Sequence, residues 1–78
     1  MDVRRLVGEN LARLRREKGF SQEAFSVKSG LTQGYISDLE RGRRNPTVVT
    51  LYHISVALDV HPSDLLLPSP DGLSGPER

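Results

Sequence analysis

The chain has no cysteine anywhere in its 78 residues. That absence removes a disulfide frame, a thiolate nucleophile and any zinc site built on Cys ligands. Its two histidines, His53 and His61, have no carboxylate neighbours at ligand spacing, so no metal is expected. There is no Gly-rich phosphate loop and no convergent group of histidines and carboxylates, so neither an enzyme nor a cofactor is expected. No apolar run is long enough to span a bilayer, and the charged N-terminus lacks the apolar stretch of a signal peptide. The expectation is one small cytoplasmic domain with no membrane partner. A core of this size is modest, and dimerisation would add to its stability. No internal repeat or second domain is visible.

What is present is a division of charge. The formal net charge is only +1, but residues 1–44 carry ten Lys/Arg against six Asp/Glu, a local +4. Residues 45–67 carry only Asp59 and Asp64, a local −2. One half suits a polyanion and the other suits protein.

The basic half contains SQEAFSVKSGLTQGYISDLERG, from Ser21 to Gly42, which reads as two short helices joined at a tight turn. Ser21 is suited to cap the first helix, and Glu23 complements its positive end. Gly30 falls where that helix must stop and reverse, a place for a residue that reaches the left-handed conformation cheaply. Thr32 then caps the second helix, and Ile36 and Leu39, three apart, mark its inward face. Phe25 and Leu31 supply matching apolar contacts, and a small residue at position 26 lets the helices cross closely. A helix, a short turn with Gly and a second helix is the layout of a DNA-binding helix-turn-helix.

At these residues the sequence resembles the lambda-repressor/Cro-type, or xenobiotic-response-element type, helix-turn-helix family. The likeness continues through Asn45-Pro46-Thr47 and the closing ISVALDVHPSDLL, so it covers roughly Val7 to Leu67. Ser26 departs from the pattern, standing where the family usually has Ala; its hydroxyl is expected to bond back to the carbonyl of Gln22. The resemblance implies an all-α, compact five-helix domain over residues 1–67, with the helix-turn-helix at helices two and three. It also implies an ion pair between Arg15 and Glu40. In the family Gln22 touches a phosphate and braces the first residue of the recognition helix, here Gln33.

Family geometry turns Gln33, Gly34 and Asp38 toward bases, with Ser37 beside them. Gln matches the donor and acceptor of adenine, Ser is permissive, and an acidic residue can accept from cytosine N4. Gly34 offers no side chain and lets backbone approach closely, whereas the carboxylate of Asp38 is repelled by phosphates unless it finds a donor. Thr32, Tyr35, Arg43, Arg44 and Asn45 are the expected phosphate contacts beside Gln22, fixing register without reading sequence. Double-stranded DNA is therefore the expected partner.

Around this motif, Asp2 to Lys18 reads as the first helix, with Val7, Leu11 and Leu14 on one face and Gly19 ending it. Thr47 caps a fourth helix running to about Asp59, with Leu51, Ile54 and Leu58 inward. Val49, Tyr52 and Val56 lie nearly opposite, and a helix apolar on two sides is usually buried on two sides. A short fifth helix, Pro62 to Leu67, is expected to start at a His61 cap with Pro62 at its first position. A dimer interface is thus expected at Val49, Tyr52, Val56, Leu65, Leu66 and Leu67. From Pro68 onward seven of eleven residues are Pro, Gly or Ser, which reads as a disordered tail.

The expectation is a sequence-specific DNA-binding regulator, similar to small phage repressors and restriction–modification controller proteins. It would act as a homodimer on a two-fold-related operator. RNA polymerase or a partner protein stays open as a further contact, as does the sign of regulation. The rival is an antitoxin-like protein-interaction module, in which the second apolar face or the tail binds another protein.

Overall fold

Four helices begin on an oxygen-bearing side chain. In the computed structural model, which describes residues 2–69, Asp2, Ser21, Thr32 and Thr47 are the N-caps. Each accepts a hydrogen bond from a first-turn amide, those of Arg4, Ala24, Tyr35 and Thr50 respectively. Such a cap satisfies an amide the helix itself cannot, at about 1 kcal/mol apiece. The helices are α1 (Val3–Glu17), α2 (Gln22–Ser29), α3 (Gln33–Glu40) and α4 (Val48–Leu58). Gly30 ends α2 at φ 80°, in the left-handed conformation that lets the chain reverse into α3. Asp59 adopts the same conformation at φ 58° after α4, where a short polar side chain is tolerated better than most.

The inward residues of all four helices meet in one core. Leu11 and Leu14 of α1 join Phe25, Ile36, Leu39, Ile54, Leu58 and Leu65, with Phe20, Leu31 and Leu51 packed against them. Contacts run from α1 to α3 and from α2 to both α3 and α4. The described residues are helical throughout their regular structure, and the all-α expectation holds.

The expected fifth helix is a 3-10 turn of four residues, Pro62–Leu65. His61 and Asp64 cap it reciprocally, and Pro62 fits its first position. Continuation fails because Pro68 drives the residue before it away from helical geometry. The turn also corrects the placement of Leu65. That side chain is 0% exposed and closes the core between α1 and α4, so it cannot sit at a subunit interface. Leu66 and Leu67 remain on the surface. The disordered tail expected from Pro68 onward falls almost wholly outside the described residues.

Two residues of α1 hold this arrangement in ways their sequence context did not announce. Buried Asn10 donates from Nδ2 to the carbonyls of Leu65 and Leu67, at 2.9 and 2.7 Å, tying the last turn to the first helix. Gly8 lies where α1 meets the end of α3; a Cβ there would come within 2.3 Å of the Leu39 carbonyl oxygen.

Candidate nucleic-acid interface

Helix α3 is locked from its inner side. Arg15 reaches across from α1 and donates from Nε to Glu40 Oε2 at 2.7 Å and from Nη2 to Oε1 at 3.1 Å. Its remaining nitrogen, Nη1, donates to the carbonyl of Phe20 at 2.7 Å, which pins the α1–α2 connection. Both side chains are more than nine-tenths buried. The hydrogen bond to Glu40 raises the Arg15 pKa above the ordinary arginine value; burial opposes this, and the Glu40 charge adds a smaller push. A two-pronged pair of this kind fixes orientation as well as charge.

Gln22 belongs to the same lock. Its amide donates to Glu40 Oε1 at 3.0 Å, so it braces the end of α3 and not Gln33 at its start, as the family likeness implied. The physical reason is competition: a buried carboxylate is a stronger acceptor than a neutral amide on the surface. Ser26 is likewise redirected. Its hydroxyl donates to the carbonyl of Leu31 across the turn and not to Gln22 one helical turn back. The turn carbonyl has no helical partner, whereas that of Gln22 already accepts within α2.

The outer side of α3 is open. Gln33 and Gly34 are exposed, and a Cβ on Gly34 would meet nothing within 4 Å. Ser37 and Asp38 are half-buried one turn on. Thr32 spends its hydroxyl on capping, while its exposure keeps it beside the N-terminus of α3. The amides at that end, left over from helix geometry, favour an anionic neighbour.

After α3 the chain turns through Gly42, at φ 74°, and exposes Arg41, Arg43, Arg44 and Asn45. Gly42 packs against α1; a Cβ would lie 3.3 Å from the Arg5 Cα, so the loop is held close to the body of the domain. Arg44 folds back toward α3, with Nε 3.6 Å from Asp38 Oδ2 and its guanidinium carbon 5.3 Å from the Tyr35 ring centroid. Asp38 thus has a positive charge beside it, though at 3.6 Å no hydrogen bond.

The candidate residues therefore form one surface: the N-terminus of α3, its outer side, and the basic loop that follows. Gln22 stands apart, with its amide committed inward. No group of three His, Cys, Asp or Glu able to hold a metal occurs among the described residues. No described helix is long and apolar enough to cross a membrane.

A helix-turn-helix family profile matches residues 11–65, well over half of the chain. The chain belongs to the helix-turn-helix family. Members of this DNA-binding class are transcriptional regulators and not enzymes. The HTH-type transcriptional regulator y4dJ of Sinorhizobium fredii is 58% identical over 69 residues, covering 88% of this chain and 90% of that one. Control protein C.BamHI of Bacillus amyloliquefaciens is 41% identical over 66 residues, covering 83% and 82%. The crystal structure of the restriction-modification controller protein C.AhdI from Aeromonas hydrophila superposes with a TM-score of 0.75 at 39% identity. That match covers 80% of this chain and 94% of the other.

Proposed function

We propose that this helix-turn-helix protein is a repressor- or controller-type regulator that binds a two-fold-related operator as a homodimer. Gln33, Gly34, Ser37 and the loop arginines face the DNA in this reading, and α4 with the residues after the last turn faces a second copy. The observation that carries it is the outer face of α4. Val49, Tyr52 and Val56, at i, i+3 and i+7, are 64%, 57% and 60% exposed, and Leu66 and Leu67 add further apolar surface. Neighbouring apolar residues left in water at this helical spacing mark a surface with an absent partner. An isologous dimer covers such a face with its own copy and gives the two recognition helices a two-fold relation. Half-sites one DNA turn apart then require the two α3 helices to lie roughly 34 Å from one another.

Two measurements test this. Sedimentation should give a wild-type dimer and a folded Val56→Glu monomer, because a buried charge at a symmetric contact is met by its twin. Selection of bound sites from random duplexes should enrich a two-fold-symmetric sequence. A wild type that stays monomeric at high concentration removes the dimer. Enrichment of no sequence removes the operator.

A further inference from the structure

Asp38 and Arg44 form a contact that the inner lock does not need. The Arg44 side chain is 55% exposed and that of half-buried Asp38 36%, and a pair so accessible to water contributes little to stability. What it determines is where the arginine sits. Asp38 Oδ2 approaches Nε, and the Tyr35 ring occupies one flank of the guanidinium. The guanidinium makes no hydrogen bond among the described residues, so its two terminal nitrogens can take up an outside acceptor.

A carboxylate 3.6 Å away makes this guanidinium a weaker phosphate contact than an arginine with no such neighbour. As a hydrogen-bond fork it loses nothing, and the terminal fork matches the N7/O6 edge of guanine. Arg41 and Arg43, in the same loop, have no carboxylate partner among the described residues and are the better placed to meet phosphates. We infer that Arg44 reads a guanine in each half-site and that Asp38 and Tyr35 are positioning residues for it, so that Asp38 contacts no base. The inference rests on the operator reading above and adds to it the base class and the residue that reads it. It also moves Arg44 from positioning on phosphate to readout, and Asp38 from readout to support.

The test begins with the site enriched by the wild-type protein. Each guanine in it is replaced in turn by 7-deazaguanine, which deletes N7 and leaves pairing and phosphates unchanged. The wild type should lose affinity on the order of tenfold at one guanine per half-site. Arg44→Lys, which keeps the charge and removes the fork, should lose sensitivity to that guanine, with a far smaller loss on random DNA than on the selected site. Asp38→Asn should lose sensitivity at the same guanine, with a smaller change on random DNA than on the selected site. Tyr35→Phe keeps the ring and should retain the sensitivity. Arg44→Lys that still discriminates the guanine, or Arg44→Ala that weakens operator and random DNA by one factor, overturns the inference and leaves a phosphate contact. Asp38→Asn that relaxes a cytosine instead overturns it in favour of direct reading by the carboxylate. A wild type that enriches no sequence overturns the operator reading itself, a result distinguishable from either of these.

Discussion

Two carboxylates two residues apart on α3 meet arginines in opposite settings. Glu40 holds Arg15 through two hydrogen bonds of 2.7 and 3.1 Å in a nearly dry site. Asp38 holds Arg44 at 3.6 Å in water. The chemistry is the same and the consequence differs. In the first case each charge depends on the other for its solvation, so the pair is part of the fold. In the second, water can replace either partner, and the contact decides only where a surface side chain rests. The same division separates the inner and outer sides of the whole helix: Ile36 and Leu39 belong to the core, Gln33 and Gly34 to whatever arrives from outside.

The largest expected effect sharpens this contrast directly. Arg15→Ala strands the Glu40 carboxylate and should cost ~3–5 kcal/mol in urea denaturation, whereas Arg44→Ala should cost less than ~1 kcal/mol. Equal costs would break the comparison.

Next comes the packing of α1 against the end of α3. Gly8→Ala places a methyl group against the Leu39 and Glu40 carbonyls, backbone atoms that cannot rotate away. The helices must separate, at a cost of about 1–3 kcal/mol or more. Unchanged thermal stability would mean that α1 and α3 shift apart freely, and that the inner side is less fixed than its hydrogen bonds imply.

The outer side is probed by binding. Gln33→Ala should weaken operator DNA by ~1–3 kcal/mol per half-site while leaving random DNA nearly unaffected. Arg43→Ala should weaken both alike and make the salt dependence shallower, by about one unit of log–log slope for each phosphate it no longer neutralises. Competition titrations at several salt concentrations distinguish the two. If Gln33→Ala lowers operator and random affinity by one factor, Gln33 reads nothing.

The smallest effect has the opposite sign. Gly34→Ala meets open space and removes a flexible residue from the first turn, so it should stabilise the free protein by up to about 1 kcal/mol. If the backbone at Gly34 lies close to DNA, the same methyl group should reduce operator affinity. A gain in stability with full binding would show that Gly34 only leaves a reading position blank.

Much of the architecture was legible because its causes are local. Ser21, Thr32 and Thr47 cap through amides three residues on, and Gly30 turns the chain through its own φ; neither needs a distant partner. The spacing of Val7, Leu11 and Leu14 likewise follows from helical period alone. The lettering was ambiguous wherever one residue type suits two environments. Three consecutive leucines, Leu65 to Leu67, give no period from which to tell core from surface. Only the abrupt 3-10 turn sends Leu65 inward and leaves its neighbours outside.

What the sequence determined by itself is the set of elements, their caps and the charge on each half, since these follow from the properties of each residue and its near neighbours. The tertiary structure alone decided the partners. A glycine within a helix reads as a defect until α3 is seen to press its carbonyls against Gly8. Asn10 reads as a solvated side chain until two carbonyls from the far end of the chain need a donor. Gln22 and Ser26 each carry donors that several acceptors could satisfy, and proximity in the fold selects Glu40 and Leu31. Hydrogen bonds and close packing act over a few ångströms, so distance in space settles them, and distance in space exists only once the chain has folded.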